Sequence, residues 1–407
     1  MTKFNAIGGG ASPRPSPSPS GSGIPGASAS RPVDAGALSL RDRLAALRNR
    51  LVASPRFQRV AASFPLTRPI AERQSQALFD LCAGFVYAQV LQACVRVDLF
   101  RLLEPGPLTS AELAPRLVIP QPAAERLLEA AAALRLIEPR RGGRYGLAML
   151  GAALIGNPGV GAMIAHHTLL YGDLADPVAL LRGEAGTTAL SRYWSYARAE
   201  APAAASAGEV ADYSALMAAS QHLVADDILS AHDFGGHRKV LDIGGGDGAF
   251  LVSVARRVAV PALALLDLPA VAKRAQARFA AEGLGGRAVA FGGDMHRDAL
   301  PTDADLVTLV RVLHDHDDDA VRALLARIRA AMPPGGALLI AEPMAGEGGT
   351  GRMGRAYFGF YLLAMGSGRA RSPAELTRFL AEAGFTGIRT LRTRQPLMTG
   401  AIAARAG

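Results

Sequence analysis

The residues of this sequence best suited to chemistry begin with a glycine-rich segment, Val240 to Gly248. An apolar run containing Asp242 is followed by Gly244, Gly246 and Gly248, and then by a helical pattern. This order predicts a buried strand, a tight turn and a helix whose N-terminal amides point into the turn. Glycine allows positive φ and a close approach of the backbone to a ligand. The segment therefore predicts a binding site for a nucleotide-like molecule.

Further polar residues follow at the expected carboxyl ends of later strands, where a doubly wound sheet binds its ligand. Asp267 is placed to accept hydrogen bonds from ribose hydroxyls, and Asp294 and Met295 suit an adenine amine and ring. Arg311 to Asp315 ends the next strand and brings a histidine to the same edge. Because the glycines and Asp267 also fit the dinucleotide-binding fingerprint, these residues leave both a nicotinamide cofactor and S-adenosylmethionine open.

The elements that must position these residues alternate between strand and helix, which predicts a parallel sheet with helices on both faces. Strands are expected near 260–266, 287–291, 305–312 and 336–341, and helices near 269–282 and 318–331. A helical stretch at 354–365, a helix at 373–383 and two short strands at 387–392 and 398–404 close the chain. Such a closing hairpin resembles that of methyltransferase sheets and is less expected of a nicotinamide-binding domain.

The part of the chain before the glycines predicts a mostly helical domain. A long apolar helix at 77–100 precedes helices at 110–117 and 122–134, and the segments 136–138 and 144–147 pair across an Arg-Gly-rich turn. This is a winged-helix pattern. A helix that reads DNA presents Arg, Lys, Asn or Gln to the bases, whereas 121–136 is mostly Ala, Leu and Glu. The pattern favours dimerisation or covering of the substrate over nucleic-acid binding.

Length and composition indicate two globular domains after a disordered tail. Residues 1–36 are rich in Pro, Ser, Gly and Ala, and we expect domains at 37–205 and 206–407. The net charge of +9 comes from scattered arginines, not from a basic block. Cys82 and Cys94 lie about three helical turns apart, too far for a disulfide, which favours a reduced, cytoplasmic setting.

Two apolar helical segments raise the question of membrane contact. Leu40 to Phe57 is amphipathic and rich in arginine, and two interpretations stay open: a helix packed on its own protein, and a membrane-surface contact. The segment 77–95 carries Asp80, Gln89 and Gln92, so it is expected to be a buried helix, not a membrane span.

Aromatic and methionine residues are concentrated in the helical region 163–221 and again near 357–361. Such residues at helical spacing are more often core than lining, but a site between the domains requires some of them to face the ligand. The candidates for a substrate pocket are His166, Tyr171, Trp194, Met217, Tyr357 and Tyr361.

The ordered motifs resemble a known enzyme family. Asp-x-Gly-Gly-Gly-x-Gly, Asp-Leu-Pro, Gly-Gly-Asp-Met and Leu-His-Asp are similar to the plant caffeate-type and bacterial small-molecule O-methyltransferases, over about 75–405. Segments 73–87 and 231–234 resemble the hydroxyneurosporene, or demethylspheroidene, O-methyltransferases of carotenoid synthesis. The resemblance implies a Rossmann-like α/β sheet preceded by a winged-helix-like dimerisation domain, a homodimer, and S-adenosylmethionine as cofactor.

The resemblance also implies roles for particular residues. The family's catalytic histidine maps onto His314, and the first glutamate beside it maps onto Glu342. The second glutamate falls at Ala370, so either Glu342 alone orients the histidine or Asp315 helps. The tryptophan that often follows the family's His-Asp is His316 here. Since the lysine that contacts the cofactor carboxylate falls near Val310, Arg311 is its replacement.

The resemblance implies that the acceptor is a hydroxyl of a hydrophobic small molecule. The carotenoid enzymes imply the tertiary hydroxyl of an acyclic carotenoid. Since such an acceptor dissolves in lipid, peripheral membrane contact is also expected. Alternatives are a phenolic or tetrapyrrole acceptor, a winged-helix regulator with a degenerate methyltransferase domain, and a nicotinamide dehydrogenase. A metal-binding interpretation of 314–319 pairs His314 with His316 on an extended strand. A helix start better explains the three acids that follow, and the implied reaction requires no metal.

Overall fold

The computed structural model describes residues 39–194, 221, 224–259, 262–346, 351–394 and 399–407. The chain divides into two compact units, Met1–Gly84 and Phe85–Gly407. In the first unit, α1 (Leu40–Ala53) and α2 (Pro55–Ser63) precede the start of α3 (Arg68–Arg96). Ser39 and Asp42 form a capping box that begins α1, and Pro55 at the first position begins α2.

The long helix α3 is less buried than its apolar sequence predicts. Leu78, Phe79, Leu81 and Phe85 are exposed in the single chain, and its buried residues are Gln92 and Cys94. The expectation of a buried helix is therefore wrong for the N-terminal part of α3. By length and composition α3 is also able to cross a membrane, but an apolar face of this kind is equally typical of a contact between subunits.

The second unit begins with the expected winged-helix arrangement. Its elements are α4 (Leu99–Leu103), β1 (Leu108–Thr109), α5 (Ser110–Leu117), α6 (Gln121–Ala133), β2 (Ile137–Arg140) and β3 (Arg144–Leu147). The three strands form a small antiparallel sheet in the order β1-β3-β2. Thr109 and Glu112 form a capping box at α5, and Leu113, Leu128 and Ile137 are fully buried beneath the sheet.

Four helices follow the small sheet: α7 (Met149–Ile155), α8 (Pro158–Asp173), α9 (Pro177–Leu181) and α10 (Ala189–Tyr193). Asp173 joins two of them, because its carboxylate accepts hydrogen bonds from the first amides of α10, Ala189 and Leu190, at 2.7 and 2.8 Å. The side chains of α8 and α10 thereby come to lie in one cluster with residues from the C-terminal part of the chain.

The large sheet has seven strands in the order β6-β5-β4-β7-β8-β10-β9. They are β4 (Lys239–Ile243), β5 (Ala262–Asp267), β6 (Ala288–Gly292), β7 (Leu306–Val310), β8 (Ala337–Glu342), β9 (Phe385–Leu391) and β10 (Gly400–Ala406). The first five are parallel, and β10 runs antiparallel between β8 and β9. The predicted parallel sheet with a closing antiparallel hairpin is confirmed.

Helices cover both faces of this sheet: α11 (Ala249–Arg257), α12 (Pro269–Ala281), α13 (Asp318–Ala331), α14 (Phe358–Met365) and α15 (Pro373–Glu382). Successive residues of β4 enter two different cores, since Val240 packs with Phe250 and Phe279, while Leu241 packs with Leu324. Alternation along a strand that is buried on both faces accounts for its continuous apolar sequence. The expected helix at 354–365 begins with a π-helical turn, Arg352–Tyr357, before α14.

Candidate active site

The glycine turn after β4 lies directly against the segment that carries His314. Gly244 has φ of +69°, and a Cβ added to it would lie 2.8 Å from Cγ2 of Val312. Gly246 has φ of +60°, and an added Cβ would meet no atom within 4 Å. One glycine thus permits close packing of the turn on the β7 loop, and the other leaves an open side on which a ligand fits.

Two carboxylates lie beside this turn, the buried Asp242 and the partly buried Asp267. Asp242 accepts a 2.6 Å hydrogen bond from the Thr308 hydroxyl through Oδ1, and its buried Oδ2 has no partner among the described residues. Asp267 Oδ2 accepts from the Gly246 amide at 2.8 Å, and Oδ1 accepts from Leu268 at 2.7 Å. Burial raises the pKa of Asp242 to about 7 and that of Asp267 to about 6, despite these donors. Both are suited to hydrogen-bond donors of a ligand.

The end of β6 uses its polar groups partly within its own turn. Asp294 Oδ1 accepts from the His296 amide at 2.8 Å, and the Asp294 amide donates to Asp298 at 2.8 Å. Met295 is partly buried against the core. His296 carries a buried ring nitrogen, Nε2, that has no partner in the described structure. The centroid of its ring lies 4.8 Å from that of His316.

Arg311 follows β7 in a strained backbone conformation. Its φ is +57°, a backbone angle that residues other than glycine rarely adopt. Its amide donates to the carbonyl of Ala341 at 2.8 Å. The guanidinium donates to Gln221. Strain of this kind persists only where neighbouring structure holds it, and it is concentrated at functional sites.

His314 lies in a short 3₁₀ turn, Leu313–Asp315, and not on an extended strand. Its amide donates to Glu342 Oε2 at 3.0 Å, and its ring Nδ1 lies 3.4 Å from the same oxygen. Nε2 lies 3.2 Å from Asp315 Oδ1. The 3₁₀ turn removes the geometric premise of the metal interpretation, since His314 and His316 are not alternate residues of a strand.

Two carboxylates beside His314 shift the pKa of its ring. Burial of the His314 ring lowers its pKa, but the carboxylates of Asp315 and Glu342 outweigh burial, so the pKa is raised above its ordinary value. Glu342 is fully buried, and its second oxygen, Oε1, has no partner in the part of the chain that the structure describes. The arrangement is that of an imidazole able to take up a proton and share it with two acids.

An arginine that the sequence did not single out holds the His314 turn. Arg371 is fully buried, and its Nη1 and Nη2 donate to the carbonyls of Leu313 and His316 at 2.7 Å each. It also pairs with Asp318 at 2.8 Å. Ala370, at the position of the family's second glutamate, is adjacent. A lone arginine between small residues gives no periodic signal, so only its contacts identify it.

Aromatic residues from α8, α10 and α14 form a hydrogen-bonded cluster. Tyr361 lies 2.8 Å from His166 Nε2 and accepts a hydrogen bond from Trp194 Nε1 at 3.0 Å. A second pair joins Tyr357 and His167 at 2.7 Å. The sequence candidates His166, Trp194, Tyr357 and Tyr361 are therefore brought together. Tyr171 lies at the edge of this cluster, 6.1 Å between ring centroids from His167, and Met217 lies outside the described residues.

Phe358 connects the aromatic cluster to the histidine. Its ring lies 6.0 Å from that of His314 and 5.0 Å from that of Tyr357, between centroids. Burial lowers the pKa of His166 to about 4, with a smaller contribution from His167, and burial raises the pKa of Tyr357. The cluster is therefore uncharged at neutral pH, a property that suits contact with an apolar molecule.

Comparison with known proteins agrees with this geometry. An O-methyltransferase domain model matches residues 171–386, more than half of the chain, and an O-methyltransferase dimerisation domain model matches residues 79–157. The chain belongs to the O-methyltransferase family. The predicted fold class is confirmed, and the matched dimerisation domain supports a homodimer. The exposed apolar face of α3 lies at the start of that domain.

Relatives of this O-methyltransferase include the demethylspheroidene O-methyltransferases of Cereibacter sphaeroides and Rhodobacter capsulatus. The first is 43% identical over 93% of this chain and 98% of the relative, and the second is 41% identical over 94% of each. Human N-acetylserotonin methyltransferase in complex with SAM is 26% identical with a TM-score of 0.66, covering 82% of this chain and 98% of that one. CalO1 of calicheamicin biosynthesis, with SAH bound, is 27% identical with a TM-score of 0.68, over 81% and 98%. The methyl donor is S-adenosylmethionine, as the sequence predicts.

Proposed function

We propose that this O-methyltransferase transfers the methyl group of S-adenosylmethionine to a hydroxyl of a hydrophobic small molecule, the tertiary hydroxyl of a hydroxylated acyclic carotenoid. The observation that carries the proposal is the identity of 41–43%, over more than nine tenths of the chain, to two demethylspheroidene O-methyltransferases. The uncharged aromatic cluster beside His314 supports an apolar acceptor.

The residues around the glycine turn fit S-adenosylmethionine. Asp242 has a buried oxygen that no described residue contacts by a hydrogen bond, and Gly246 has an open side. Asp267 would hold the ribose hydroxyls, with Gly244 and Gly248 shaping the turn. The remaining cofactor residues of the proposal are Asp294, Met295 and Arg311, with Asp294 released from part of its own turn to meet the adenine amine.

The chain's contribution to the reaction is positioning and management of one proton. S-adenosylmethionine supplies a sulfonium whose methyl carbon is already electrophilic. Alignment of the hydroxyl lowers the barrier by about 7–11 kcal/mol. A general base raises the rate by about 10²–10⁴-fold, which corresponds to about 3–5 kcal/mol. Positioning by the aromatic cluster is therefore the larger share.

His314 would accept the proton of the acceptor hydroxyl as the carbon–oxygen bond forms. In the neutral ring, Nδ1–H donates to Glu342, which leaves the lone pair of Nε2 to take the proton. Asp315 lies 3.2 Å from Nε2, where it would stabilise the imidazolium that results. Glu342 and Asp315 together would then do the work of the family's two glutamates, the second of which is replaced here by Ala370.

We also propose the division of labour expected from the sequence. Residues 37–205 would dimerise and cover the acceptor, and 206–407 would bind the cofactor and carry out the reaction. The expected tail, residues 1–36, lies outside the described residues. The enzyme would work in the cytoplasm with peripheral membrane contact, because a polyene acceptor dissolves in lipid and not in water.

The test is methyl transfer by the purified full chain. The enzyme is incubated with labelled S-adenosylmethionine and a pigment extract from a strain lacking the protein, beside a phenol and a tetrapyrrole. We expect a labelled polyene methyl ether. His314→Ala is expected to lose about 10²–10⁴-fold in rate, with cofactor binding intact by calorimetry. Label in the phenol or tetrapyrrole alone would refute the acceptor, and wild-type rates in His314→Ala would refute the base.

A further inference from the structure

Most of the exposed large apolar residues of the described chain lie on its first helices. Of the 23 exposed large apolar residues, 15 lie between Leu40 and Val86. None of the residues of α1 or α2 is buried. Both helices precede the matched dimerisation domain, which begins at residue 79. An extended apolar patch of this kind indicates a surface that contacts something else.

The leucines of α1 form one narrow stripe. Leu40, Leu44, Leu47 and Leu51 follow helical spacing, and at 100° per residue they lie within about 60° of one another. Their exposed fractions are 74, 58, 56 and 48%. The chain continues the apolar surface into α2, whose exposed large side chains are Phe57 and Val60, with Phe64 immediately after it.

Arginines flank the leucine stripe on both sides. On the helical wheel Arg41 and Arg48 lie on one side of it, and Arg43 and Arg50 lie on the other. Residues 39–63 contain six arginines and one acid, Asp42, whose carboxylate is used in the capping box at Ser39. The surface is therefore apolar along its centre and cationic along both edges.

We propose that α1 and α2 form an amphipathic docking surface for an anionic lipid bilayer. Helices of this pattern lie in the interface plane with the apolar face among the acyl chains and the arginines among the headgroup phosphates. Charge complementarity selects the bilayer over a second copy of this surface, because the arginines match anionic headgroups, whereas contact of the surface with itself would bring two cationic surfaces together. The biological role of this surface rests on the proposed function, since a bilayer is where a lipid-dissolved acceptor would be found. The surface would bring the enzyme to that acceptor.

The test measures sedimentation of the full-length enzyme with vesicles of phosphatidylcholine alone and of phosphatidylcholine with phosphatidylglycerol, at about 0.1 M salt, where exposed charges still act over about 10 Å. We expect binding to the anionic vesicles that weakens with added salt. In Leu44→Glu/Leu47→Glu, the partition coefficient is expected to fall at least about tenfold, since two apolar side chains leave the bilayer.

The matched control is Asn49→Glu/Ala53→Glu, which adds the same charge on the opposite face of α1. It is expected to retain most of the binding. Equal loss in the control and the stripe variant would overturn the docking geometry. So would a stripe variant that binds vesicles normally but sediments as a smaller assembly, or wild-type enzyme that prefers duplex DNA to the vesicles.

Methyl transfer to a detergent-dissolved polyene alcohol separates this inference from the proposed function. Both double variants are expected to match the wild type in that assay, because detergent delivers the acceptor without a bilayer. Vesicle binding without methylation would refute the acceptor and leave the docking surface standing. Methylation without vesicle binding would refute the docking surface and leave the acceptor standing.

Discussion

Replacing Arg371 by Met is expected to destabilise the protein and to slow methyl transfer while leaving the KM for S-adenosylmethionine unchanged. The guanidinium holds the carbonyls of Leu313 and His316, which flank His314 on both sides. Its further contact, with Asp318, fixes it to the start of α13. These contacts join the His314 turn to the segment before α15, and none of them reaches the glycine turn. The substitution is therefore expected to displace the base more than the cofactor site.

The magnitude follows from what remains after the substitution. Removing one partner of a buried ion pair costs about 3–5 kcal/mol. Asp318 keeps two bonds to Arg369, at 2.9 and 2.8 Å, and its side chain is about a third exposed. We therefore expect a loss near the lower limit, about 3 kcal/mol in the free energy of unfolding. A turn displaced by about 1 Å lowers the rate by about 100-fold.

Urea unfolding measures the first effect, and kcat with the KM of each substrate measures the second. Arg369→Met is the matched control, because Arg369 pairs with Asp318 and Glu375 at a half-exposed position. Its loss is expected to cost at most about 1 kcal/mol and to leave kcat unchanged. Arg371→Lys, which keeps the charge but not the fork, should recover part of the rate. Equal kcat in the Arg371→Met and Arg369→Met variants would refute a positioning role.

Three further predictions concern the acids and the aromatic cluster. Burial raises the pKa of Asp242 from 3.8 to about 7. As the pH rises between these values the acid ionises in the unfolded chain first, so the wild type loses about 4 kcal/mol of stability. Urea unfolding of Asp242→Asn should lack that fall, and an identical pH slope in the two proteins would contradict the prediction. Asp315→Asn removes a charge that raises the pKa of His314, so the acid limb of kcat/KM, which requires a neutral base, should move to lower pH, with no shift in the control Asp319→Asn. Tyr361→Phe removes the hydroxyl that joins His166 to Trp194 and is expected to cost about 1–3 kcal/mol in stability and to raise the KM of the acceptor, whereas an increase confined to the cofactor KM would place Tyr361 elsewhere.

The sheet was predictable because its signals are local. The run from Val240 to Ile243 is buried on both faces, so its continuous apolar sequence identifies the strand without knowledge of its neighbours. The glycines that follow report a turn directly, because three of them have positive φ. The capping residues of α5 and α15, Thr109 and Ser372, likewise lie three positions before their glutamates.

The features that sequence reasoning missed depend on distant contacts. Arg371 meets its partners Leu313, His316 and Asp318 across 53 to 58 residues of chain. Phe358 reaches the His314 ring from another helix. The exposure of α3 was predicted wrongly because an apolar helix for the protein's own core and one for a partner subunit have the same composition. Hydrophobicity identifies what must be covered, but not by which chain.

The position of β10 affects how the enzyme matures. It pairs with β8 from Gly400 opposite Glu342 to Arg405 opposite Ala337, so the strand that ends in the proposed orienting carboxylate keeps an open edge until residues 400–406 have been synthesised. A chain that lacks residues 400–406 would therefore present a ladder of unpaired amides and carbonyls along β8. Truncation before Gly400 is expected to give aggregation-prone chains.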